Sequence, residues 1–157
     1  MSCFLTVHQP IPQEEDRSEY DNCIWVNRER PHWVHRINRS DRIFVYEVAT
    51  SEHPGLVEVG GQLRSAYQPR GGLVSCFEVT SDFIPEPPPP VTFEGNIYLG
   101  KFQGAYISQR FIPLRILKEA WLRATGRNFN PLFKGGIREL NAEECRVLSS
   151  LMGVSYP

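Results

Sequence analysis

Apolar and polar side chains alternate with period two through most of the first two thirds of the chain, and strands are predicted wherever that alternation holds. Cys3–Val7 is the first, ended by Pro10 and Pro12. Cys23–Val26 is a short apolar segment. Arg42–Ala49, RIFVYEVA, is the clearest strand because β-branched and aromatic residues dominate it, with Tyr46 on the face of Phe44 and Val48. A turn-rich loop over Thr50–Gly55 leads to a further strand, Leu56–Val59, closed by Gly60-Gly61. In Gly71–Ser81 the alternation puts Leu73, Ser75, Phe77 and Val79 on one face and Val74, Cys76, Glu78 and Thr80 on the other. Pro85 and Pro87–Pro90 lack the amide hydrogen that a sheet or helix interior requires, so a rigid extended connector is expected there. Val91–Tyr98 and Ala105–Phe111 complete the strands, with Gly100 and Gly104 near the turn between them.

The period then becomes helical. Pro113 suits a first helical turn, and Leu114, Leu117, Trp121 and Leu122 form an apolar stripe that ends near Gly126. Asn141 with Glu144 three residues on is a capping-box-like start. Cys145, Leu148, Leu151 and Met152 supply the buried face of that helix, and Gly153 stops it. Strands followed by segregated helices give an α+β chain, and five or six short strands suggest a curled, barrel-like mixed sheet with helices at its ends. At 157 residues, one domain spanning 1–157 is expected.

Composition narrows the function. A hydrophobic share of 41% and a charged share of 22% are ordinary for a globular chain. The net charge of -1 excludes a uniformly basic surface, so a nucleic-acid site requires local segregation of charge. Such segregation is present. Glu14, Glu15, Asp16, Glu19 and Asp21 form an acidic stretch, expected as a short exposed helix or loop. Between Arg28 and Arg42 lie five arginines and two histidines against Glu29 and Asp41. No apolar run approaches the roughly 18 residues of a membrane span, and the N-terminus does not read as a signal peptide. Cys3, Cys23, Cys76 and Cys145 form no close pair, so reduced, mostly buried thiols in an intracellular protein are expected, without zinc. His8, His32, His35 and His53 fall in no metal or catalytic motif, and neither Gly60-Gly61 nor Gly71-Gly72 is a phosphate loop. No catalytic residue, metal or cofactor is expected.

Four segments in order carry a resemblance. Ile24-Trp25-Val26 precedes the basic stretch, and Arg39-Ser40-Asp41-Arg42-Ile43-Phe44-Val45-Tyr46-Glu47 follows it. This order resembles the EVE domain family of the PUA-like superfamily, related to YTH and ASCH domains, with its I-W-G-V-like segment and K-x-G-D-x-hydrophobic-Y strand. Val26 stands where a small residue is usual, and Ser40 where glycine is. Gly72–Phe83 resembles the family's returning strand, Arg110–Trp121 its strand-to-helix step, and Arg138–Leu151 its closing helix, with Asn141 for threonine. The resemblance implies a mixed barrel of about five or six strands with flanking helices. It also implies binding of nucleic acid, DNA or RNA, through a modified base drawn into an aromatic cage at the barrel mouth, with no membrane role and with room for a separate effector protein.

By that resemblance the base pocket is assigned to Trp25, Val26, Asn27, Trp33 and Tyr46, with His8, Gln9 and Ser40 as short polar readers. Arg28, Arg30, Arg36, Arg39, Arg42, Arg64 and Arg70 are assigned to the nucleic-acid backbone. Trp121, on a helix stripe, is expected in the core. Some ASCH relatives are hydrolases of nucleosides or RNA. That alternative requires a lysine or carboxylate in the pocket, and Lys101, Lys118 and Lys134 are not expected near the mouth. A third reading makes the proline connector a protein-interaction module.

Overall fold

The computed structural model describes residues 1–48, 55–131 and 136–156. The expected loop over residues 50–54, together with His53 and Lys134, lies outside the described residues. The strands are β1 (Cys3–His8), β2 (Cys23–Asn27), β3 (Arg42–Glu47), β4 (Leu56–Val59), β5 (Gln62–Ser65), β6 (Gly72–Val79), β7 (Ile84–Pro85), β8 (Thr92–Phe93), β9 (Asn96–Ser108), β10 (Ile112–Pro113) and β11 (Ile137–Leu140). The helices are α1 (Ser18–Asp21), α2 (Trp33–Arg36), α3 (Leu114–Thr125) and α4 (Ala142–Met152).

The mixed, sheet-dominated α+β architecture is as expected, but the sheet is open rather than barrel-like and has 11 strands among the described residues rather than five or six. The hydrogen-bonded path runs β11-β1-β3-β6-β9-β8-β4-β5, with β10 on β6 and β2 and β7 on β9. The parallel pair is β1 with β3. Most of the added strands are two to four residues long, too short to announce themselves by alternation.

Strand β9 corrects one expectation. Gly100 and Gly104 lie within a single 13-residue strand instead of marking a turn. Its C-terminal half pairs with β6, and its N-terminal half pairs with β8, β7 and β2. A side chain at Gly104 would meet the Glu78 carbonyl at 2.1 Å, and one at Gly100 the Ile84 carbonyl at 2.1 Å. These two glycines therefore let neighbouring strands approach where β9 passes from one set of partners to the other. Pro85 is a second correction: it belongs to β7, which pairs with β9 and no other strand, a position that spares the missing amide hydrogen.

The sheet carries a core on each face. Cys3, Leu5, Phe44, Tyr46, Leu73 and Cys76 pack under α3 and α4 against Leu117, Trp121, Phe129, Cys145, Leu148 and Met152. Phe4, Ile43, Val45, Val74, Phe77 and Val79 pack on the other face against Ile24, Val26, Trp33, Ile37 and Phe102. The strict alternation expected along β6 fails because Val45 faces Ser75 while Tyr46 faces Leu73, which leaves Val74 as an extra residue. That bulge moves Val74, Phe77 and Val79 to one face and Leu73 and Cys76 to the other. In α3, Leu117 and Trp121 are buried as expected, whereas Leu122 is 50% exposed. In α4 the capping box of Asn141 and Glu144 is present.

Cys3 and Cys145 are joined by a disulfide across 142 residues, whereas Cys23 and Cys76 are free and buried. The expectation of four reduced thiols is corrected for the first pair. Position 3 of β1 and the buried face of α4 meet in one core, with a Cα separation of 6.0 Å that a disulfide spans.

Candidate functional site

A cavity of about 500 Å³ opens on the side of β2 away from its core face. Alternation along β2 builds the wall: Ile24 and Val26 are fully buried in the core, and Cys23, Trp25 and Asn27 line the cavity. Asn96 and Tyr98 join them from β9, Thr6, Val7, His8 and Gln9 from the end of β1, Tyr20 from α1, and Phe93 from β8. Glu15 and Glu86 complete the rim. Glu15 is held by its carbonyl, which accepts from Tyr67 Oη at 3.0 Å, and Glu86 by its amide, which donates to the Leu99 carbonyl at 2.8 Å.

Two aromatic pairs line this space. Trp25 and Tyr98 meet edge to face with centroids 5.9 Å apart, and Tyr20 and Phe93 lie 6.3 Å apart. The Lys101 ammonium stands 5.0 Å from the Trp25 ring, since the two residues are register partners across β2 and β9. The Trp25 indole Nε1–H is buried without a hydrogen-bond acceptor among the described residues, an arrangement that costs free energy until an acceptor arrives. Asn27 Nδ2 donates to Asn96 Oδ1 at 3.2 Å, and Asn27 Oδ1 accepts from the Glu29 amide at 2.9 Å. Burial pushes the Tyr98 phenol up, and burial together with the Glu15, Glu19 and Glu14 carboxylates pushes Tyr20 up to about 12. Both tyrosines therefore present neutral hydroxyls.

Behind the wall lies a buried ion network. Arg70 Nη1 and Nη2 each donate to Asp21 at 2.9 Å, and its Nε donates to Glu47 Oε2 at 3.0 Å. The Arg70 backbone amide takes the other Glu47 oxygen at 2.8 Å. His8 Nδ1 donates to the Gln9 carbonyl at 2.8 Å, and His8 Nε2 lies 3.3 Å from Asp21 and 3.9 Å from Glu47. Burial alone would raise the Asp21 carboxyl, but hydrogen bonds from His8 and Arg70 outweigh it and hold it below its ordinary value. His8, Asp21 and Glu47 have the donor set of a small metal site. The guanidinium already supplies the positive charge that their carboxylates need, so the cluster closes on itself as an ion network.

Four of the eight residues assigned to the base pocket, His8, Gln9, Trp25 and Asn27, line the cavity. The other four lie elsewhere. Val26 points into the core beneath β2. Trp33 is 8% exposed and packs edge-on against Phe4. Tyr46 is 2% exposed and packs on Phe129 in the core under α3 and α4. Ser40 is an exposed turn residue at positive φ, the backbone form that explains glycine at the matching place in the resemblance. Tyr20, Phe93 and Tyr98 escaped the sequence reading. Tyr98 alternates with Asn96 and carried a period-two signal, whereas Tyr20 sat in a stretch read as solvent-exposed.

The arginines divide likewise. Arg42 is 8% exposed and donates to Ser149 Oγ and the Ser155 carbonyl, so it pins α4 and the chain end to β3. Arg70 is locked in the ion network. Arg36, Arg39 and Arg64 are paired with Glu139, Asp82 and Glu14. Arg28 and Arg30 follow Asn27 directly and form no ion pair among the described residues. Lys101 packs on the Trp25 ring but is not among the residues that line the cavity.

No family model matches the sequence, and no curated protein matches it. Solved structures do. The structure of human THYN1 protein in complex with 5-methylcytosine-containing DNA superposes with a TM-score of 0.54 at 16% identity, covering 99% of both chains. A protein from Pseudomonas syringae gives 0.52 at 15% identity over 96% of this chain and 99% of its own. The YTH domain-containing protein mmi1 in complex with RNA gives 0.50 at 9% identity over 96% of this chain and 82% of its own. At these identities the likeness is one of fold. No helix among the described residues is long and apolar enough to cross a membrane.

Proposed function

We propose that this chain is a non-catalytic nucleic-acid-binding domain that takes one base, preferentially a modified one, into the Trp25 cavity. The observation that carries the reading is the convergence of two aromatic pairs, Trp25–Tyr98 and Tyr20–Phe93, with His8, Gln9 and Asn27 around about 500 Å³ of open space. Extracting a base from its stack costs a few kcal/mol, and each aromatic stacking contact returns roughly 1–3 kcal/mol. Two such contacts close the balance. Edge hydrogen bonds then separate one base from another. The Gln9 side-chain amide has no partner among the described residues, and Asn27 keeps one amide hydrogen to offer. Arg28 and Arg30, unpaired and next to Asn27, supply the cations that phosphates need. The fold shared with structures holding 5-methylcytosine-containing DNA and RNA supports the reading.

A second reading, an ASCH-like hydrolase, draws on the carboxylates Glu15 and Glu86 at the rim and on His8 beside Asp21. The cysteine on the cavity wall is not an activated nucleophile: the Cys23 thiol donates to the Glu19 carbonyl, and burial raises it above its ordinary value. Prolonged incubation with nucleosides and short RNA separates the two, since the binding reading predicts no turnover. Equilibrium titration of single-stranded oligonucleotides into the wild type and Trp25→Ala tests the proposal itself. Loss of discrimination between a modified base and its parent in a folded variant supports it, and unchanged discrimination refutes it.

A further inference from the structure

The described residues give the cavity lining a sign. Among the described residues its lining includes two carboxylates, Glu15 and Glu86, and no lysine or arginine. Both glutamates are half-buried, and neither side chain has a hydrogen bond or ion pair among the described residues. Of the basic side chains near the cavity, Arg64 is paired with Glu14 and Arg70 with Asp21 and Glu47, and Lys101 stands on the Trp25 ring outside the lining. Burial raises the Tyr20 phenol, and the Glu15, Glu19 and Glu14 carboxylates add to that rise. Partly enclosed charges are screened less than those at an open surface. Aromatic faces attract cations through their quadrupole. Aromatic rings joined to unpaired carboxylates favour a flat ligand that carries positive charge on its ring.

Resting on the base-binding reading above, we propose that the cavity selects a base with a fixed positive charge, a ring-nitrogen-alkylated purine or pyrimidine, over neutral modified bases. The cation lies against the faces of Trp25, Tyr98, Tyr20 and Phe93, and Glu15 and Glu86 compensate it. The phosphates on either side stay outside the negative cavity, at Arg28 and Arg30. An unalkylated or carbon-methylated base enters the same space without the electrostatic gain.

The test compares two probes of equal shape and different charge. Single-stranded ten-residue oligonucleotides carry one central 7-methylguanine or its neutral isostere 7-methyl-7-deazaguanine. Unmodified guanine and 5-methylcytosine serve as controls. Titrations of the full chain are followed by tryptophan fluorescence in mildly acidic buffer, which keeps the guanine N1 protonated and the methylated ring cationic. The charged probe should bind about tenfold tighter than its isostere. In the double variant Glu15→Gln/Glu86→Gln, shown to be folded by circular dichroism, that ratio should fall to within about twofold. Equal binding of the two isosteres by the wild type, with both tighter than unmodified guanine, overturns the charge selection and leaves base binding standing. Failure of every oligonucleotide to compete for the Trp25 cavity overturns the base-binding reading as well. Tighter binding of a trimethyl-lysine peptide than of any oligonucleotide overturns both, because the cationic ligand is then a protein.

Discussion

Replacing Arg70 by methionine keeps the aliphatic stem and removes the one arginine shared by Asp21 and Glu47. The wild-type guanidinium makes four hydrogen bonds to these carboxylates, three of them at 2.9–3.0 Å, and the Glu47 side chain is only 1% exposed. Breaking a buried pair by deleting one partner costs about 3–5 kcal/mol, because the remaining charge is left uncompensated. For a chain of this size each kcal/mol moves the melting temperature by roughly 2–4 °C, so a fall of about 6–20 °C is expected at neutral pH. The pH dependence has a definite sign. In the wild type the Asp21 carboxyl titrates below its unfolded value of about 3.9, so its contribution is present above that pH and is lost as pH falls through the folded value. In the variant, burial without the guanidinium raises the Asp21 carboxyl, and its protonation as the pH falls towards the unfolded value of about 4 relieves the penalty. The difference in melting temperature between wild type and variant should therefore be largest near pH 7 and shrink towards pH 4, measured by calorimetry across that range. A loss under 3 °C, or one independent of pH, would refute the buried-network account. It would restore Arg70 to the exposed backbone-binding role that its sequence position suggests.

Other expectations follow from the same geometry. Trp25→Ala should cost about 1–3 kcal/mol in base discrimination, read by titration, with little change in melting temperature. Tyr46→Ala should instead destabilise the fold by roughly 3–5 kcal/mol in a urea melt, because its ring packs on Phe129 under α3 and α4. On duplex DNA, Arg28→Ala and Arg30→Ala should each lower the slope of log K against log salt by about 0.9, whereas Arg42→Ala should leave the slope unchanged and lower stability. The double variant Cys3→Ser/Cys145→Ser should lose about 2–4 kcal/mol of stability, since the bridge closes nearly the whole chain into one loop.

Local signals in the sequence reached the long strands and the helix ends. The β-branched run at Arg42–Glu47 and the Asn141 capping box needed no tertiary information. What stayed hidden depended on contacts between distant segments. The β6 bulge at Val74 exists because of its pairing with β3, and β7, β8 and β10 are two residues each. Gly100 and Gly104 look like turn residues, and only the close approach of Ile84 and Glu78 explains them inside a strand. In the site, Trp25 and Asn27 were reached through the resemblance, because Cys23–Val26 is apolar throughout and its alternation was not legible. Tyr46 was misplaced because a strand between two cores offers an apolar face on either side, and the pattern alone does not say which side stays open; Trp33 opens the short helix α2 and packs on Phe4 although its sequence neighbours are polar. Asp21 and Arg70 sat in segments of opposite charge, and nothing local announced that they would be buried together.

The most direct test of the central claim uses the three tryptophan indole N–H resonances of the isotope-labelled chain. Trp33 and Trp121 are buried in the two cores, at 8% and 2% exposure, while Trp25 lines the cavity with its N–H lacking an acceptor. On titration with a single-stranded oligonucleotide carrying a modified base, the Trp25 indole resonance, assigned through Trp25→Phe, should shift saturably with the bound fraction. Those of Trp33 and Trp121 should stay within the line width. A saturated complex in which the Trp25 resonance has not moved, or in which that of Trp33 moves instead, would contradict base capture in this cavity.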